Sequence, residues 1–253
     1  EPIQFIMKFI TKGHERSVRA KKNIFGSLII KGFSILISFL LLPITLSYVD
    51  ASVYGVWLTL SSIVGWFVFF DVGLTHGLRN KLAEAMARGE DDLGQIFVST
   101  TFAILGIIFM GIWVIFLVVN RFLDWSSILN VSASMRSEVS TLAVIVFTYF
   151  CLSFVLRIIT TVMIADQRPA GSELIHLIGQ IISLAIIFTL VKTTEGSLVK
   201  LGLALCISPL VVIVFANLFL FNGLYKKYKP SIKAIKFSYA RELFSLGAVF
   251  FVI

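Results

Sequence analysis

Six apolar runs, each close to the length a helix needs to cross a bilayer, constrain this chain more than any other feature. They lie at about 24–47, 53–71, 94–119, 139–164, 170–191 and 198–221, and a seventh begins near Leu243 and is cut at Ile253. A helix needs about 20 mostly apolar residues to span the hydrocarbon layer. Transmembrane barrel strands are about 10 residues of alternating polarity, whereas these runs are long and continuous. Composition agrees. Hydrophobic residues make up 58% of the 253 and charged residues 14%, against roughly 25% charged in a soluble domain. The expected fold is all-α, a polytopic transmembrane bundle whose solvent is lipid.

Charge placement sets an expected orientation. Sixteen Lys and Arg fall in the N-terminal segment, the second and fourth connections and the segment after the sixth run. Only Arg121, Arg136, Lys192 and Lys200 fall on the other side. The positive-inside rule then puts the N-terminus in the cytoplasm. The same placement accounts for the net charge of +8 without a nucleic-acid partner. Residues 1–23 read as a basic cytoplasmic segment, 24–221 as a six-span lobe, 222–242 as a basic cytoplasmic linker resembling a hinge, and 243–253 as the start of a seventh span. Residues 79–92 read as a short amphipathic helix ended by Gly89. The chain has no initiator Met and stops inside an apolar run, so a fragment is expected. An echo between Asn23-Ile24-Phe25-Gly26 and Glu242-Leu243-Phe244-Ser245 hints at a repeated six-span unit.

Two cations lie inside runs, Lys31 in the first and Arg157 in the fourth. A charge at membrane depth costs several kcal/mol, which makes it a functional candidate. At about 1.5 Å per residue, both sit roughly 10 Å from the same face. Lys31 shares a stripe with Asn23, Ser27, Ser34 and Ser38. Arg157 shares one with Tyr149, Ser153 and Thr160. Glu173, His176, Gln180 and Ser183 form a third on the fifth run. Three polar stripes imply a shared aqueous cavity. Two other readings stand beside it: both cations can snorkel to headgroups, and Ser/Thr stripes can be helix-packing faces. Glu173 can pair with Arg168. Trp57, Trp66, Trp113 and Trp125 read as packing or interface anchors, and Cys151 and Cys206 as packing residues. No disulfide framework, metal-ligand spacing, phosphate-cradling loop or nucleophile–base pair is visible, so no cofactor or metal is expected. The largest external loop, 120–138, offers only Asp124 and Glu138.

A cytoplasm-facing cationic cavity fits an anionic substrate, because Arg grips phosphate oxygens bidentately and Lys acts as a point charge. Two stretches carry a resemblance: Tyr54-Gly55-Val56-Trp57, and Asp71-Val72-Gly73-Leu74-Thr75-His76-Gly77-Leu78-Arg79-Asn80-Lys81-Leu82. With the basic N-terminus and the six-span half, they resemble the bacterial O-antigen and polysaccharide flippases of the multidrug/oligosaccharidyl-lipid/polysaccharide exporter superfamily, over about residues 15–253. The resemblance implies the N-terminal lobe of a two-lobe alternating-access transporter in the bacterial inner membrane. The implied cargo is a polyprenyl-diphosphate-linked oligosaccharide (an O-antigen or capsule repeat unit). Membrane lipid, a coupling ion and other polysaccharide-assembly proteins are the further partners. Candidate substrate contacts are Lys31, Arg157, His176, Gln180, Ser34 and Ser153. Asp71, Gly73, Gly77 and Arg79 form a candidate gate or elbow, with Asp71 and Arg79 paired across it.

Three other functions compete. A drug/cation antiporter of the same superfamily predicts carboxylates buried mid-span. A membrane-embedded polysaccharide-assembly enzyme needs a carboxylate- or His-rich loop. A structural scaffold needs no aligned charged stripes. One lobe alone is expected not to transport.

Overall fold

A computed structural model describes residues 15–66 and 74–243. Among them every regular element is helical, and the protein is a bundle of membrane-crossing helices. The chain runs through α1 (Glu15–Tyr48), α2 (Ala51–Trp66), α3 (Leu74–Arg88), α4 (Asp91–Asn120), the short α5 (Trp125–Ile128), α6 (Arg136–Leu156), α7 (Ile158–Ala165), α8 (Pro169–Thr193) and α9 (Leu198–Asn222).

Among the described residues five stretches are long and apolar enough to span: Lys22–Tyr48, Asp91–Asn120, Ala133–Ala165, Pro169–Thr193 and Leu198–Asn222. The second expected run differs. Helix α2 ends at Trp66 within the described residues, and its 16 residues reach about 24 Å, short of the roughly 30 Å hydrocarbon layer. The remainder of that run, 67–71, lies outside the described residues. The first helix also begins at Glu15, turns earlier than its apolar run, so residues 15–23 continue the helix rather than lead into it.

Aromatic packing holds the centre. Phe109 of α4 stacks on Phe154 of α6 at 4.4 Å between centroids, and Phe116 stacks on Phe147 at 3.9 Å. Lipid offers no hydrophobic drive between helices, so shape-matched dispersion contacts of this kind carry the association. On the other side of the bundle α1 packs along α8, and α8 along α9.

Polar groups fix the helix ends. Glu138, at the start of α6, accepts from Leu198 N at 2.8 Å and Ser197 Oγ at 3.2 Å, which satisfies orphan donors at the N-terminus of α9. Asp124 caps α5 by accepting from Ser126 N at 3.2 Å, and Arg136 Nε lies 3.5 Å from it. Both carboxylates of the 120–138 loop therefore serve as caps.

Helix α3 spans Leu74–Arg88 rather than 79–92. It stops where Gly89 takes φ +73°, and Glu90 N returns to Ala85 O at 2.9 Å. Its Leu78, Leu82 and Ala85 are fully buried against α4 and α7, so it is a packed element of the bundle.

The segment after α9 is not a free hinge. It forms three short turns, Lys226–Tyr228, Ile232–Ala234 and Phe237–Tyr239, folded back along α4. Asp91 of α4 accepts from Lys227 Nζ at 2.7 Å and from the Tyr228 hydroxyl at 2.8 Å. Gly94 makes room for the Tyr228 ring, since a Cβ there would come within 2.7 Å of it. The backbone N–H groups of Ser231 and Lys236 donate to Ser99 Oγ and Thr100 Oγ1 at 3.0 and 3.1 Å. The Tyr239 ring meets Phe97 edge-on at 5.6 Å. Lys81 of α3 reaches Glu242 Oε1 at 2.5 Å, and that contact holds its ammonium pKa above the usual value. These ties make residues 223–243 a strap.

Candidate ligand cavity

Helices α1 and α8 run parallel with a nearly constant register. The Tyr48 hydroxyl and Thr194 Oγ1 share a hydrogen bond at 3.0 Å, and Ser34 Oγ donates to Gln180 Oε1. Gln180 Nε2 then donates to Ser38 Oγ at 3.4 Å. The polar stripes on the first and fifth runs therefore face each other. Ser34 and Gln180 satisfy one another across the helix interface, so their stripe is partly a packing face.

That register places Lys31 opposite Glu173, with Nζ 3.7 Å from Oε1. The expected pairing of Glu173 with Arg168 does not form, because Arg168 Nε lies 2.8 Å from Asp166 at the turn before α8. Asp166 also accepts from the Tyr225 hydroxyl at 3.1 Å.

Arg157 sits where α6 gives way to α7. The Thr160 N–H bonds to Arg157 O at 2.9 Å, one residue short of the α-helical partner, and Thr160 Oγ1 bonds to the same carbonyl at 2.6 Å. This tightens one turn inside a continuous span. It also releases the Leu156 carbonyl, which takes Asn217 Nδ2 of α9 at 2.9 Å. A freed backbone group in a membrane helix needs such a neighbour.

Between these helices lies a cavity of about 680 Å³, within the span of small-ligand pockets, about 300–1,000 Å³. Arg157, Ser153, His176 and Gln180 line it, as do Glu173 and Ser38. Lys31 does not line it, and Ser34 reaches it only through its bond to Gln180. Of the two cations expected at one level of a shared cavity, Arg157 lines it, whereas Lys31 lies opposite Glu173 outside its lining. Ser153 Oγ is buried and bonded to Phe150 O at 3.0 Å, so its hydroxyl is engaged within its own helix.

Among the described residues no carboxylate lies within ion-pair distance of Arg157. The Tyr149 hydroxyl sits beside its guanidinium. His176 lies within electrostatic reach of Arg157, Glu173 and Lys31. Among the described residues the cavity thus carries one unneutralised cation, one compensated carboxylate and several neutral hydrogen-bonding groups. Such a set binds an anion with hydroxyl-bearing attachments.

The second run contributes a wall that the stripe reading did not include. Tyr54, Trp57 and Ser61 of α2 line the cavity at spacings of three and four residues, one face of a helix. Ser61 Oγ is enclosed and has no hydrogen-bond partner among the described residues. That spacing was readable in the sequence. Asn217 was readable only as a polar residue inside an apolar run.

The candidate gate is divided. Asp71 and Gly73 lie outside the described residues. Gly77 is buried, and a Cβ there would land on the Leu243 carbonyl, so glycine is what lets α3 approach the end of the strap. Arg79 is exposed on α3.

Fold and cavity together define a polytopic helical membrane protein with a cation-bearing internal cavity. The chain matches no family model, no curated protein and no solved structure.

Proposed function

We propose that this chain is a transporter lobe, not an enzyme, and that it belongs to a flippase for a polyprenyl-diphosphate-linked oligosaccharide. The cargo passes from the cytoplasmic to the periplasmic leaflet of the bacterial inner membrane by alternating access, with the N-terminus in the cytoplasm. One observation carries this reading: Arg157 lines the cavity without a carboxylate partner among the described residues. A guanidinium in low dielectric favours a diphosphate strongly and repels cations. The surrounding Tyr149, His176, Gln180 and Ser61 suit sugar hydroxyls. The Tyr54–Trp57 and Asp71–Leu82 stretches support the same family, and the 16 to 4 distribution of basic residues supports the orientation.

A drug/cation antiporter is favoured by one feature, the Glu173 carboxylate in the cavity wall. Lys31 at 3.7 Å offsets that charge, which leaves the anionic cargo the better fit.

The test is complementation of a strain lacking its own O-antigen flippase with the full-length gene. Wild type restores surface polysaccharide, Arg157→Ala at equal expression loses it, and Arg157→Lys keeps part of it. Restoration by wild type and Arg157→Ala alike removes Arg157 from the site. Failure of wild type together with a gain of drug efflux replaces this reading with the antiporter.

A further inference from the structure

The strap descends along α4 rather than standing off its end. Lys227 and Tyr228 meet Asp91, the Lys229 carbonyl meets Gln95, and Ser231 and Lys236 meet Ser99 and Thr100. Nine residues separate Asp91 from Thr100, about 13 Å along a helix. The Ile232–Ala234 turn is held between the Ser231 and Lys236 anchors, so it lies alongside the part of α4 where the sequence has become apolar.

At that depth the strap presents an unusual outer face. Ile232 is 88% exposed and Phe237 56% exposed, while the inward residues Tyr228 and Leu243 are buried. Lys233 and Lys236 flank the two apolar side chains, with Lys226 and Arg241 beyond them, and all four are exposed. Among the described residues none of these four cations has a carboxylate within ion-pair distance. Apolar tips between unpaired cations at the level of the headgroups match a negatively charged lipid surface. Backbone limits the depth. The strap's turns leave main-chain groups that hydrocarbon cannot solvate, so the boundary between headgroups and acyl chains is the deepest seat open to it. Lysine stems are long enough to reach headgroups from there.

We propose that the strap is a docking element for anionic phospholipid. Ile232 and Phe237 seat at the acyl boundary, and Lys233 and Lys236 hold the headgroups. This proposal does not rest on the transport reading and concerns a different surface.

The experiment places an environment-sensitive fluorophore on Ile232→Cys of the intact chain. Cys151 and Cys206 are buried and stay unlabelled. The protein is reconstituted in nanodiscs of phosphatidylcholine containing increasing phosphatidylglycerol, with brominated acyl chains as quencher. Quenching is expected to rise with phosphatidylglycerol. Lys233→Gln/Lys236→Gln is expected to raise the phosphatidylglycerol fraction needed by on the order of tenfold. A label at Ile128→Cys, exposed on α5, is expected to show no such dependence. Equal quenching in both lipids overturns lipid recognition, because depth would then be set by the fold alone. Absence of quenching in either lipid overturns the proposal in favour of a water- or protein-facing strap.

Discussion

Lys31 Nζ lies 3.7 Å from Glu173 Oε1 across two parallel helices, so the carboxylate in the cavity wall faces a cation of its own before any ligand arrives. Glu173→Gln removes the negative charge from the cavity wall that also holds Arg157. Lys31→Ala leaves the Glu173 carboxylate in that wall without its cation. The pair is partly exposed, so each change is expected to be worth about 1 kcal/mol, or roughly fivefold. Uptake of an anionic cargo should strengthen in Glu173→Gln, weaken in Lys31→Ala, and return near wild type in Lys31→Ala/Glu173→Ala. Surface polysaccharide per expressed protein in the complementation strain reads this order. Equal loss in all three variants would assign the pair a purely structural role.

Asn217 repairs the main-chain break at Arg157 by donating to the Leu156 carbonyl at 2.9 Å. Asn217→Leu keeps the side-chain volume but leaves that carbonyl unpaired, at a cost of about 1–3 kcal/mol. The expected result is a lower thermal midpoint in detergent. Thr189→Val serves as control, because Thr189 Oγ1 donates to the carbonyl of Ala185 in its own helix, one turn back, at 2.9 Å. A midpoint unchanged by Asn217→Leu would mean that the span closes the break by itself.

The Tyr228 hydroxyl is held neutral by burial and by its bond to Asp91, which push its pKa from 10.0 up to about 12. Tyr225 is pushed upward for the same reason, beside Asp166. The folded strap thus keeps a proton that the unfolded chain loses in this range. Its stability is intact below pH 10 and falls as pH rises through about 12. Absorbance titration of tyrosinate should show late steps, of which Tyr228→Phe removes the one at about 12 and leaves that of Tyr225. A Tyr228 step at the ordinary value would show that the strap does not enclose the ring.

Much of the fold was legible in the sequence. Run length alone identified the long helices, because a lipid-embedded helix must satisfy its own backbone over about 20 residues. Gly89 marked a helix end because only a residue without Cβ takes that positive φ cheaply. The stripes through Arg157, His176 and Gln180 identified cavity residues, since helical periodicity fixes which side chains share a face.

The sequence could not say which faces meet. Lys31 and Arg157 looked equivalent by depth, yet the register of α1 against α8 gave one of them a carboxylate and, among the described residues, left the other without one. The basic segment after α9 looked like a hinge by composition, yet Asp91, Gly94, Ser99 and Thr100 turned it into a strap. Helices and their polar sides follow from local geometry, which each run carries within itself. Partner choice depends on distances between residues well over a hundred positions apart, and only the packed bundle sets those distances.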